Sequence, residues 1–425
     1  MNTLFILPCA VTVTGLYFLF KLRFFFILNP GRTARKIFFG VKGRDAFSSV
    51  ALALAGTLGI GNIIGVAVGI SIGGEGSVFW LLISSIFAMV IKYSECALSS
   101  DFGEGKGMLG VISKSFGRAS LTLSMVYAVL ILALSFVMGA AFQSASIGQC
   151  ALASFGIPTY ISALFLLVTL FFAVRGGNEK IAKITAIIIP LTTVIYIILA
   201  LSTIFANIKI LPAVLYRVWN SAFDTDSAVG GIAGFLLSDK IKEGYLRGIL
   251  SNEAGAGTSS IAHSKNRSAD AGAVGVMGIV EVVFDTVILC SLTAFASLVS
   301  VENFSGMSGI GIILSGIGSV FGRVSEYLIF VCIFAFAYST VICWYYYGSF
   351  AYEYLMKAKS GRAFASWFII SAASGAFFSC DSLIGTVDLL LLFLSAINLL
   401  ALIKNSDRIK FLSENSGLII PRRKY

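Results

Sequence analysis

Ala55-Gly56-Thr57-Leu58-Gly59-Ile60-Gly61-Asn62-Ile63 decides how this chain folds. It lies inside an apolar run over about residues 46–72, long enough to cross a bilayer. A plain spanning helix has no use for three glycines with a Thr and an Asn among them. Glycine costs about 1 kcal/mol relative to alanine in a helix interior. Lipid offers no partner to a freed N–H or C=O, so a helix broken here must face protein or a water-filled cavity. Its loosened carbonyls can hold a cation, and the N-terminus of its second half attracts an anion. Read alone, the glycines fit close helix packing equally well, as do Ala51, Ala53, Gly65, Ala67 and Gly69. Thr57, Asn62 and a second interrupted segment shift the weight to a site.

Composition sets the solvent. The chain is 57% hydrophobic and 12% charged, with a mean hydropathy of +0.93. Repeated apolar blocks of about 18 residues or more mark spanning helices, not a soluble core. The net charge of +10 sits in short loops between the blocks, a topology signal and not a nucleic-acid footprint. Seven scattered cysteines without a CxxC pair, and His263 as the single histidine, argue against a disulfide framework or a metal enzyme. Met1–Phe20 has no basic leader and no small-residue cleavage site, and reads as a retained first helix.

The sequence predicts eleven spans, at about 3–28, 46–72, 77–100, 119–153, 159–175, 181–206, 227–249, 269–300, 324–349, 363–380 and 382–404. With the N-terminus outside, twenty-five of the Lys and Arg residues fall on inward segments, including Lys240, Lys242 and Arg247, and three fall outward. That bias predicts an external N-terminus and a cytoplasmic C-terminus. The fourth span is overlong, as a tilted helix would be.

Setting the first helix aside leaves five and five. The domains predicted are residues 1–28 as an extra helix, 46–206 and 227–404 as two five-helix repeats, and 405–425 as a cytoplasmic tail. Five is odd, so the repeats are inverted. The second repeat opens on Ala228-Val229-Gly230-Gly231-Ile232-Ala233-Gly234-Phe235, also glycine-interrupted. Paired interrupted helices in inverted halves point to a midplane transport site, here including Gly230 and Gly231. An ordinary span with packing glycines is the alternative.

Polar groups within the spans mark cavities or partners. Lys92 and Glu95, three apart on one helix face, suit an ion pair. Glu281 and Asp285, beside Thr286, suit either an ion relay or contacts to protein; Asp388 stays open. Gln143 sits among Gly139, Ala140, Ala141, Ser144, Ala145 and Ser146, as interhelical glue or beside a small polar ligand. Ser339 and Thr340 offer two hydroxyls to a small hard cation, or bond back to their own helix. Trp344, one turn on, could close over a ligand or simply pack.

With these residues in view, the chain resembles the alanine/glycine:cation symporters, the sodium:alanine symporter family. The blocks that carry the likeness are Gly56–Ala67, the turn Gly73-Gly74-Glu75-Gly76-Ser77-Val78-Phe79-Trp80, and Lys92-Tyr93-Ser94-Glu95-Cys96. They continue in Arg247–Gly257 with Ile261-Ala262-His263, then Phe284-Asp285-Thr286, and then Phe334 through Gly348. The pattern departs at Glu75, Leu81-Leu82, Ala145 and Ile397; Ala145 lies near the implied substrate.

The resemblance implies an all-α integral membrane protein of the leucine-transporter type, a five-plus-five inverted repeat with one extra N-terminal helix. It implies Thr57, Gly59, Gly61, Asn62, Gln143, Thr340 and Trp344 around the substrate. It implies sodium, with no cofactor, among Thr57, Gly59, Phe336, Ser339 and Thr340. The expected function is sodium-coupled import of a small neutral amino acid, alanine or glycine, by alternating access at the plasma membrane. A proton-coupled transporter of the same fold and an ion channel are the alternatives. A membrane enzyme has no motif here to support it.

Overall fold

In a computed structural model of the protein, the residues described are 5–39, 52–102, 104–174, 177–223, 238–264, 270–304, 306–357 and 361–419, with 38–39 and 177–186 as backbone only. Every regular element among them is helical. Helix α1 (Ile6–Lys21) leads to α2 (Pro30–Phe39). A helical segment at 52–57 is followed by a break, a 3-10 turn at Ile60–Asn62, and α3 (Ile64–Gly73). Then come α4 (Ser77–Phe102), α5 (Gly107–Ser115), α6 (Gly117–Phe155), α7 (Thr159–Val174), α8 (Gly177–Ala206) and α9 (Leu211–Phe223).

The second half opens on α10 (Asp239–Asn252) and, after a turn, a short helix at Ser259–His263. It continues with α11 (Ala271–Ser300), α12 (Arg323–Met356), α13 (Arg362–Gly375), α14 (Cys380–Lys404) and α15 (Ser406–Asn415). Among the described residues, α4, α6, α11, α12, α14 and Ile187–Ala206 within α8 are long and apolar enough to cross a membrane. The overlong fourth span is one element, α6, loosened into a π-helical stretch at Ser135–Phe142.

The first interruption lies where the sequence places it, with helix ending at residue 57 and resuming at Ile60. The second predicted interruption, Ala228–Phe235 with Gly230 and Gly231, lies outside the described residues. The described break is further on. Helix α10 ends at Asn252, and residues 253–258 run irregularly before Ser259–His263. Residues 251–264 are buried throughout, so this is not the inward loop that a span at 227–249 implied. Lys240, Lys242 and Arg247 are likewise not in a loop. They sit on α10, whose first turn packs against the Gly73–Ser77 turn.

A ladder of glycines joins the two interrupted helices. Gly61, Gly65, Gly69 and Gly73 recur every four residues, on one face. A Cβ at Gly61 would stand 3.4 Å from Ser251 Cα, and one at Gly65 3.4 Å from Leu250 Cδ2. At Gly69 it would stand 2.6 Å from Arg247 Cγ, and at Gly73 3.0 Å from Glu243 Cβ. Helices α3 and α10 are therefore antiparallel and in backbone contact. Packing and site are thus not rival explanations of these glycines: Gly59 belongs to the break, and the other four belong to the ladder. Helix α4 takes the far side of α10, at Gly244 against Ser77 and Gly248 against Ser84. Helix α11 closes on α4 through Gly275 against Tyr93 and Gly278 against Lys92.

Candidate functional site

Breaking a helix orphans carbonyls before the break and N–H groups after it. In the first break, both sets are met by side chains from other helices. On α12, Thr340 Oγ1 donates to Ala55 O at 2.9 Å and Cys343 Sγ to Leu52 O at 3.2 Å. Across the break, Ile60 N–H donates to Gln143 Oε1 of α6 at 3.2 Å. Gly59 lies between them, extended at φ −103°, ψ −160°. A Cβ there would stand 2.9 Å from Thr340 Oγ1 and 3.1 Å from Gln143 Oε1. Thr340, Gly59 and Gln143 are therefore one cluster. Beside it lies a narrow crevice, too tight for a water molecule, lined by Leu58, Gly59, Asn62, Ile63, Tyr196, Leu289 and Phe336.

The remaining predicted residues divide. The Thr57 hydroxyl turns back to Ala53 O at 3.3 Å, and Thr57 O accepts Gly59 N–H at 2.7 Å. Ser339 donates to Phe336 O within its own helix at 2.9 Å, the back-bonding alternative. Gly61 belongs to the ladder against α10. Trp344 is fully buried, stacked edge-on against Tyr347 at 5.5 Å, with its Cβ 2.2 Å from where a Cβ of Gly139 would be.

Asn62 does more than follow the break. Its Nδ2 donates to Asp285 Oδ1 at 2.5 Å and to Asp285 O at 3.2 Å. Asp285 lies in the π-helical stretch Val283–Cys290 of α11. Asp285 Oδ2 in turn accepts from Ser251 Oγ at 2.5 Å and Thr286 Oγ1 at 2.8 Å, and Asn252 Nδ2 donates to Thr286 Oγ1 at 3.0 Å. One buried carboxylate thus connects the first break to the last turn before the second. Asn62 Oδ1, 2% exposed as a residue, has no hydrogen-bond partner among the described residues.

The second break is held by residues that the sequence reading left out or assigned elsewhere. Glu253, Gly255 and Gly257 have φ of +55°, +91° and +75°. Gly255 N–H donates to Glu95 Oε1 of α4 at 2.9 Å, and Gly255 O accepts from Asn398 Nδ2 of α14 at 2.7 Å. Tyr127 of α6 donates to Ala256 O at 2.5 Å. Lys92 and Glu95 do not pair as expected from their spacing. Lys92 reaches Ser259 Oγ and, at 3.4 Å, Glu281 Oε2, while Glu281 Oε1 meets His263 Nε2 at 2.5 Å. Asp388 of α14 pairs with Arg247 of α10 at 2.6 Å, across the ladder from Gly69.

The model of the sodium:alanine symporter family matches residues 1–411. The chain is 28% identical to a sodium/alanine symporter, AgcS, of Methanococcus maripaludis, over 78% of this chain and 75% of that one. It is 30% identical to a probable sodium/glutamine symporter, GlnT, of Bacillus subtilis, covering 81% and 73%. It is 27% identical to a sodium/proton-dependent alanine carrier protein of Bacillus sp. PS3, covering 76% of each. Among solved structures, a manganese transporter of Eremococcus coleocola aligns with a TM-score of 0.57 at 14% identity, over 85% of this chain and 80% of that one. MhsT in complex with L-phenylalanine aligns with a TM-score of 0.55 at 14% identity, over 88% of each. The fold is thus that of the leucine-transporter type, as the sequence predicts.

Proposed function

The chain belongs to the sodium:alanine symporter family, a family of multi-pass membrane transporters and not of enzymes, and from that premise we propose that it imports a small neutral amino acid, alanine or glycine, with sodium. The observation that carries this reading is the pinch at Gly59. The orphaned carbonyl Ala55 O and the orphaned N–H of Ile60 are held by the side chains of Thr340 and Gln143.

Sodium prefers oxygen ligands. It would take Ala55 O and the Thr340 hydroxyl, with the carbonyls around the break, Phe336 O and Ser339 beside them. The solute carboxylate would take the N–H groups opened at Ile60 and Gly61, where the half-helix dipole favours an anion. Gln143 would then hydrogen-bond the solute in place of the backbone. The close approach of Thr340 and Gln143 to the Cβ-less Gly59 favours a small side chain. Trp344, behind Gly139, would set the depth of the site. Each ligand completes the site for the other, which is reciprocal linkage. The chain would sit in the plasma membrane with its N-terminus outside and its C-terminus cytoplasmic, on the inward excess of Lys and Arg.

A second reading, coupling to protons, is favoured by Asp285, an ionisable group joined to both breaks. One assay separates them. Purified protein in liposomes is given radiolabelled alanine with a sodium gradient alone or a pH gradient alone. Sodium-driven uptake is the expected result, and uptake indifferent to sodium rejects the coupling. Uptake driven by the pH gradient alone and lost in Asp285→Asn would establish the second reading instead.

A further inference from the structure

Glu95 is buried in the bundle at the second break, with 0% of its surface exposed. Its Oε1 accepts two hydrogen bonds, from Gly255 N–H at 2.9 Å and from Asn398 Nδ2 at 2.7 Å. Its Oε2 has no hydrogen-bond partner among the described residues, although the backbone N–H of Gly257 also faces the carboxyl. Asn398, also 0% exposed, spends its amide nitrogen on Glu95 Oε1 and on Gly255 O, at 2.7 Å each. Both of those atoms accept and neither donates, so the amide cannot be flipped. Its Oδ1 therefore remains an acceptor, and it too is without a partner.

Two groups already joined by one hydrogen bond thus each keep one buried oxygen with nothing to accept. Both orphans are acceptors; what is missing is a donor. A single proton on Glu95 supplies it, since a carboxylic acid donates through one oxygen and accepts through the other. A carboxamide has the complementary pair, so a protonated Glu95 can give Asn398 Oδ1 the donor it lacks.

Charge argues the same way. Among the described residues no Lys, Arg or His nitrogen lies within 4.0 Å of Glu95, and the ammonium of Lys92, three residues before it, is taken by Glu281 and Ser259. The other titratable groups around it are Cys96 on its own helix, Tyr127 on α6 and Glu253 in the break, with His263 beyond Glu281. None supplies a second positive charge against an ionised Glu95. An unpaired carboxylate sealed from water is strongly disfavoured.

We propose that Glu95 binds a proton at the second break and shares it with Asn398 as a carboxylic acid–carboxamide pair, which fixes the turn at Gly255. Loss of the proton removes the bond to Asn398 Oδ1 and leaves an unpaired charge buried against Gly255, which makes transport sensitive to pH whatever ion drives it. The role in transport rests on the reading of the chain as a carrier; the proton site itself does not.

Infrared spectra of the purified full-length protein test the site without any transport. The carbonyl stretch of a protonated carboxylic acid is expected in the wild type, absent from Glu95→Gln, and shifted in Asn398→Ala, which removes its partner. Glu253→Gln, assayed in parallel, identifies any band from the neighbouring carboxyl. If Glu95→Gln does not fold, pH titration of the wild-type band and its Asn398→Ala shift carry the test. A spectrum with no protonated-acid band that depends on Glu95 or Asn398 overturns the proposal. So does a band at that position which sodium displaces, since Glu95 is then a metal ligand. In liposomes at a fixed sodium gradient, the pH dependence of uptake should flatten to less than about twofold per pH unit in Glu95→Gln, against the tenfold limit for one proton. An unchanged pH profile overturns the coupling while leaving the infrared result to stand alone.

Discussion

Thr340 shows how much one hydroxyl decides here. It is the single side chain of α12 that touches both the carbonyl end of the first break and the space over Gly59. Thr340→Val keeps the volume and removes the hydroxyl proposed to ligate sodium, a polar contact to a charge worth about 1.5–3 kcal/mol. About 1.4 kcal/mol is tenfold in affinity, so the sodium half-saturation should rise about tenfold while the protein stays folded. An unchanged half-saturation would remove Thr340 from the ion site. Thr57 and Ser339 invite no such prediction, because their hydroxyls are satisfied within their own helices.

At the scale of elements, the glycine ladder dictates how α3 and α10 move. Backbones this close leave no room for sliding. Gly69→Ala places a Cβ 2.6 Å from Arg247 Cγ, and Arg247 is pinned by Asp388 and Glu243. Overpacking of this kind costs about 1–3 kcal/mol. Thermal melts in detergent should show Gly69→Ala destabilised, and Gly74→Ala, with nothing within 4 Å of its added Cβ, is a control for strain alone at φ +74°.

The first break was legible because glycine and Asn inside an apolar run have no other ready explanation. The described second break was not. Ser251-Asn252-Glu253 looks like the start of a solvated loop, and polarity in a sequence does not distinguish water from a buried partner. Here the partners are Glu95, Tyr127 and Asn398, from three other helices. The spacing of Lys92 and Glu95 misled in the same manner. It is right for a helix-face pair, yet each side chain is spent on the second break and its neighbours. Nothing local in the sequence announces that Asn62 and Ser251 share Asp285.

On the scale of the whole molecule, one end of the bundle is fastened by residues far apart in the chain. Asp270 caps α11 through Gly272 N–H at 3.0 Å, pairs with Lys36 of α2 at 2.5 Å, and accepts from Ser416 beyond α15. Nearby, Tyr93 meets Ser413 at 2.7 Å and Arg408 pairs with Asp101 at 2.8 Å. Partial burial would raise the Asp270 carboxyl, but the hydrogen bonds from Lys36 and Ser416 outweigh it and hold the group below its ordinary 3.8. A carboxyl depressed in the folded state adds stability above its unfolded value and loses it as pH falls through the folded one. Asp270→Asn should therefore lower the melting temperature at pH 6, and the gap to wild type should narrow as pH falls below 3.8. A constant gap across that range would assign Asp270 to capping alone.

The four-residue rhythm of Gly61, Gly65, Gly69 and Gly73 also limits how this chain can vary in length. One residue inserted between Gly61 and Gly73 would turn the remainder of the helix by about 100° and swing bulky Val or Ile onto α10. Relatives should thus tolerate insertions in connecting segments such as 306–308 and almost none within this stretch, which makes its spacing a ruler against which distant sequences can be registered.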